Sequence, residues 1–126
     1  MYLCIAAAFA MMALASATAR AQITIEATAK SIPVVGQDDP NIEVTGKFDG
    51  LEPADVAKIT VSIQEVDAQG RNVGQPIEDV LNGPLITKDF VRSKTVARGK
   101  KYKVTTRIWK GQPPAPVKAT TSEVQS

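Results

Sequence analysis

The chemistry open to this chain is limited first by a residue it lacks. There is no histidine among its 126 residues, which removes Ser-His and Cys-His nucleophile pairs, imidazole general bases and imidazole metal ligands together. Carboxylates remain as acid–base groups. Glu65 and Asp67 lie two residues apart, a spacing that places both on one face of a strand and would suit general acid–base work. With Gly70 just beyond them, solvated carboxylates at a turn are the plainer expectation. Asp38, Asp39 and Asn41 follow Gly36 and gather oxygen ligands of the kind calcium takes. Their spacing is not that of an EF-hand, and Asp, Pro and Asn are ordinary turn formers, so the sequence assigns neither a metal nor a cofactor. Ala97-Arg98-Gly99-Lys100 has no second glycine and no following Ser or Thr, and so is not a phosphate loop. Serines and threonines are plentiful, but none sits in a nucleophile motif with a base. No catalytic residue is assigned, and the expectation is a protein that is not an enzyme.

Charge is the stronger signal. Residues 22–85 carry four basic and eleven acidic residues, a net of −7, whereas residues 86–126 carry ten basic and two acidic, a net of +8. The formal total of +2 for the whole chain hides this split. The richest basic segment alternates. Lys101, Lys103, Thr105, Arg107 and Trp109 form one set, and Tyr102, Val104, Thr106 and Ile108 form the other. If the apolar set is buried, three cations and an indole share the opposite face. Such a face is a candidate anion-binding surface built from Lys101, Lys103, Arg107 and Trp109, with an anionic glycan, lipid head groups or a nucleic acid as partner. The simpler expectation is that acidic early strands and basic late strands lie beside one another and neutralise, at about 0.2–1 kcal/mol per pair. Exposed lysines also discourage edge-to-edge aggregation. Trp109 is expected to pack at the rim of a sheet, with ligand contact as the alternative.

These side chains must be held by strands. In residues 22–126 Val and Ile outnumber Leu by 22 to 3, and ten threonines accompany them; β-branched residues lose rotamer freedom in helices and fit a pleated surface. Glycines and prolines punctuate the chain too often for a long helix. The strongest central strand is Ala57 to Glu65, with Ile59, Val61 and Ile63 facing inward. Alternation also marks Ile23 to Thr28, Ile42 to Thr45, Lys101 to Trp109 and Pro116 to Val124. Asp67-Ala68-Gln69-Gly70 turns the chain back through Val73 towards Ile77, and Leu85 to Val91 reads as a further strand. Pro53 to Ala57 is the one helical turn, and the last three residues are expected to fray. About seven strands in roughly 105 residues predict a single all-β domain over 22–126, an antiparallel β-sandwich.

The late segment resembles a known family. Gly99-Lys100-Lys101-Tyr102-Lys103-Val104, then Gly111, then Thr121-Ser122 are similar to the penultimate strand, turn and final strand of fibronectin type III and related immunoglobulin-like domains. The resemblance implies two facing sheets, with Tyr102 packed near a strand corner. The early-strand Trp usual in the type III family is absent, with Gly46 or Phe48 near its place, so the wider immunoglobulin-like class is the expectation and an open Greek-key barrel its competitor. The functional expectation is a structural or protein-interaction module, with polyanion binding as the alternative.

Residues 1–21 stand apart. Eighteen of the 21 are apolar, none from Leu3 to Ala19 is charged, and small residues follow at Ala19-Arg20-Ala21. This reads as a secretory signal peptide cut after Ala21, in preference to a cut after Ala17 or a membrane anchor. Cys4 would leave with it. The mature chain would then be cysteine-free, which suits a bacterial periplasmic or extracellular protein better than a disulfide-stapled domain. The exported form is expected to begin at Gln22, which N-terminal sequencing of envelope and medium fractions checks; a membrane-bound form retaining residues 1–21 would mark an anchor instead.

Overall fold

A computed structural model describes residues 22–126; the leader assigned to residues 1–21, with Cys4, lies outside the described residues. Seven strands run in order: β1 (Thr24–Ile32), β2 (Asn41–Asp49), β3 (Val56–Val66), β4 (Asn72–Asn82), β5 (Asp89–Thr95), β6 (Lys101–Lys110) and β7 (Ala115–Gln125). A single 3-10 turn, Pro53–Asp55, precedes β3. All pairings are antiparallel. They build a three-stranded sheet in the order β1-β2-β5 and a four-stranded sheet in the order β4-β3-β6-β7, and the two face each other as an all-β sandwich.

The core is the meeting of two alternating patterns. β3 and β6 place Ile59 opposite Ile108 and Ile63 opposite Val104, and all four side chains are buried. From the other sheet Ile42, Val44 and Phe48 of β2 and Phe90 of β5 complete the same cluster. Each fully buried Ile or Val stabilises the fold by about 1.5–3 kcal/mol relative to exposure. Gly46, directly opposite Phe90, is a packing requirement: a Cβ there would lie 2.3 Å from the Phe90 ring. β1 closes one flank of the sandwich alongside β7, with Ile23, Ile25, Ala27 and Ala29 packed against the core.

Two places depart from the sequence pattern. The strand expected from Leu85 begins only at Asp89 and runs on to Thr95. The amides of Gly83 and Leu85 are instead bound by the carbonyls of Ala57 and Pro53, which holds this stretch as a loop against the start of β3. The expected fraying at the end is also absent. Ser126 donates its amide to Lys100 O (2.9 Å) and its hydroxyl to Ala97 O (2.7 Å), tying the end of β7 to the β5–β6 turn.

That turn is fixed from inside as well. The buried Tyr102 hydroxyl accepts the Ala97 amide at 3.1 Å and donates to the Ala97 carbonyl at 3.3 Å, which is the strand-corner packing expected of Tyr102. Burial pushes its phenol pKa up from an already high ordinary value, the direction that favours the protonated, donating hydroxyl. On the flank opposite β1 and β7, the sheets are joined by charge. Asp79 of β4 lies opposite Val61 and Arg92 of β5 opposite Val44, so both point into the sandwich. Arg92 Nε donates to Asp79 Oδ2 at 2.5 Å and Nη2 to Oδ1 at 3.2 Å. Lys94 adds a second cation at 3.7 Å.

Two outcomes are expected from this framework. Tyr102→Phe removes both bonds to Ala97 and should lower unfolding free energy by about 1–3 kcal/mol with an unchanged urea m-value. The Arg92 hydrogen bond holds the Asp79 carboxyl below its ordinary value of 3.8. A depressed carboxylate stabilises the fold above the unfolded pKa, and that stability is lost as pH falls through the folded one. Asp79→Asn should therefore cost about 1–3 kcal/mol at pH 7, with a smaller further loss than the parent on acidification below pH 4. Urea melts at pH 7, 4 and 2 read both effects.

Candidate functional site

β6 is a central strand, with β3 on one side and β7 on the other, so its outward residues occupy the middle of the four-stranded sheet's outer face. Tyr102, Val104, Thr106 and Ile108 are buried, and Lys101, Lys103, Thr105, Arg107 and Trp109 alternate with them as half-buried residues. The sequence-derived set is thus brought onto one face, in one line. The register adds neighbours that the β6 sequence could not name. From β3, Lys58 lies opposite Trp109, Thr60 opposite Arg107, Ser62 opposite Thr105 and Gln64 opposite Lys103. From β7, Ala119 lies opposite Arg107 and Glu123 opposite Lys103.

The four expected site residues do not behave alike. Trp109 donates its indole N–H to Thr60 Oγ1 at 2.9 Å, while the Lys58 ammonium lies 4.4 Å from the ring centroid. Thr60 beneath it is only 7% exposed although it faces outward. The indole is therefore sheet packing, capped by a cation, as the packing expectation had it. Lys101 forms an ion pair with Glu123 at 3.2 Å. Lys103 and Arg107 form none among the described residues, nor does Lys58. Lys58 was missed in the sequence because it sits far from β6 in the chain. Its signal was its outward slot in the β3 alternation, one turn of the pleat from Thr60.

Neutralisation between early acids and late bases takes place, but elsewhere. Lys88 meets Asp49 at 3.0 Å, Arg92 and Lys94 meet Asp79, and Lys100 meets Glu65 at 3.7 Å. None of these four cations lies on the outer face of β6. Arg107 has only Thr60 and Ala119 directly across from it. The carboxylates of this face stand on its outer strands, Glu78 on β4 and Glu123 on β7.

The carboxylate candidates are engaged structurally. Asp67 Oδ1 accepts the amides of Gln69 and Arg71, each at 2.9 Å, and Oδ2 meets Arg71 Nε; the Arg71 amide above all holds its pKa down. It organises the β3–β4 turn, while Glu65 turns to Lys100, so the two are not brought to a shared task. Asp39 Oδ1 accepts the Arg98 amide at 3.3 Å. A solvent-open depression of about 540 Å³ at the strand ends is lined by Asp49, Glu52, Asp55, Lys88 and Lys110 among others. Within it the Lys88 hydrogen bond holds Asp49 below its ordinary pKa. A carboxylate already ionised and bonded to a lysine is a weak proton acceptor.

No family model and no curated protein matches the chain. Among solved structures it is similar to a β-glucuronidase from Parabacteroides merdae, with a TM-score of 0.56 and 15% sequence identity. The match covers 80% of this chain and 13% of that one, so the likeness is one of fold, to a small part of a much longer protein.

Proposed function

We propose that this chain is an exported, non-enzymatic immunoglobulin-like module that acts through its sheet faces as a structural or protein-interaction domain. The observation that carries the reading is the three-plus-four antiparallel sandwich with Tyr102 bonded back to the Ala97 backbone. A tyrosine hydroxyl bonded a few residues upstream at the penultimate-strand corner is a hallmark of immunoglobulin-like domains. β4 pairs with β3 here, which distinguishes the arrangement from the four-plus-three division of constant immunoglobulin domains. Support for a module also comes from the similar solved structure, of which a fold of this size makes up 13%. Export and a periplasmic or extracellular site rest on the leader-like composition of residues 1–21.

A second reading, in which the partner is an anionic polymer, is favoured by one observation: among the described residues ion pairs take up Lys88, Arg92, Lys94 and Lys100 off the β6 face, whereas Lys103 and Arg107 lie together on that face with none. The test of the module is capture from envelope extract on the purified, immobilised protein, with Thr45→Arg on the three-stranded sheet and Thr105→Glu on the four-stranded sheet as mapping variants. A component retained by the parent and lost with one variant is the expected result. Eluates from the parent indistinguishable from an empty matrix would overturn the reading.

A further inference from the structure

Building on the anionic-polymer reading, we propose that the outer face of β3 and β6 is a binding strip for a single extended strand of acidic polysaccharide, held by Lys103, Arg107 and Lys58. Three features of the strip select this ligand class. The first is charge. The outward residues of β3 and β6 include Lys58, Lys101, Lys103 and Arg107 and no carboxylate, and only Lys101 is taken up by an ion pair. Cations left unpaired at the middle of a sheet, with acids available elsewhere in the molecule, are complementary to an anion supplied from outside.

The second feature is width. Strands lie about 4.8 Å apart, so β4 and β7 stand about 14 Å from each other across the sheet. Glu78 and Glu123 on those two strands fence the positive strip on both sides. A single polymer chain lying along β6 passes between them. A nucleic-acid duplex or a bilayer surface would cover both fences and bring its own negative charges against them. Along the strip, Lys103 and Arg107 are four residues apart, about 13 Å, a separation suited to anionic groups spaced along sugar units.

The third feature separates sugars from bases. Single-stranded nucleic acids are held by aromatic rings on which bases stack. The one indole on this face has its N–H committed to Thr60 and a cation over its ring, and β3 and β6 place no second aromatic ring beside it on which successive bases could stack. The Gln64 amide nitrogen donates to the carbonyls of Glu65, Val73 and Gly74, and Glu123 lies opposite Lys103; the remaining polar neighbours of Arg107 and Lys103 include the hydroxyls of Ser62, Thr105 and Thr121, with Thr105 and Thr121 bonded at 3.2 Å. These groups exchange hydrogen bonds with sugar hydroxyls.

The experiment uses the purified protein and heparin as the sulfated-glycan probe. Retention is expected at physiological salt, with affinity falling steeply as salt rises. Lys103→Gln with Arg107→Gln should weaken binding at least tenfold and reduce the salt slope by about one per cation removed. Arg98→Gln with Lys118→Gln, the same charge loss away from the strip, should change it less than twofold. Arg107→Lys keeps the cation and should bind close to the parent, and thermal melts confirm that each variant is folded. Equal losses from the two double variants, or no retention of the parent, overturn the strip as a site. Oligo-dT or phosphatidylserine vesicles bound as tightly as heparin, with the same dependence on Lys103 and Arg107, overturn the glycan assignment and leave an anion-binding face. Envelope-protein capture that maps to Thr105 without heparin retention overturns the glycan while leaving the interaction module intact.

Discussion

Everything in this molecule depends on the register between its two central strands, β3 and β6. Side chains alternate across a strand with a period of two, so a slip of one residue would exchange the inner set for the outer. In β6 that slip would bury Lys101, Lys103 and Arg107 and expose Tyr102, Val104 and Ile108. The observed register is held by apolar burial on one side and by the Trp109–Thr60 bond on the other. The cationic strip is the obligatory reverse side of the hydrophobic core. The same alternation that stabilises the sandwich decides where its charge is displayed.

The central strands were legible in the sequence because their alternation is nearly unbroken: Ile59, Val61 and Ile63 face inward, as do Val104 and Ile108. The inward Asp79, Arg92 and Lys94 were not legible. A rule that sends charged side chains outward has no means of recognising charges that compensate one another between two sheets, because their proximity is a product of the fold. β5 was misplaced for a related reason. Leu85 and Ile86 supply an apolar beginning, yet Ile86 is 93% exposed; the strand is defined instead by Phe90, which finds its space over Gly46 in another strand. The outward line of Lys101, Lys103, Arg107 and Trp109 was legible from spacing alone. Lys58 and the capped state of the indole required the register.

The division of charge along the chain acquires a physical meaning from the topology. The acidic first part and basic second part are interleaved in space, since β3 pairs with β6 and β2 with β5. Opposite charges from the two parts meet at the strand ends near Asp49, at the seam near Asp79 and beside Glu65. Surface pairs of this kind contribute little each, whereas the inward Asp79–Arg92 pair also guards two sheet edges, because charges pointing into a sandwich disfavour the addition of a foreign strand. Charge therefore serves cohesion on one flank and display on one face.

The vacant side-chain position at Gly46 has a consequence for how such a sequence can change over generations. Phe90 fills the space that a methyl group at position 46 would need, so the two positions share one fixed volume though they lie 44 residues apart. Drift at either is restricted until the other has moved: bulk can migrate from β5 to β2 only through an intermediate that is overfilled or hollow. Such a pair behaves as one heritable unit. In a set of descendants of this chain, a small residue at one position should travel with a large one at the other, a correlation imposed by interior volume and independent of any partner the outer surface acquires.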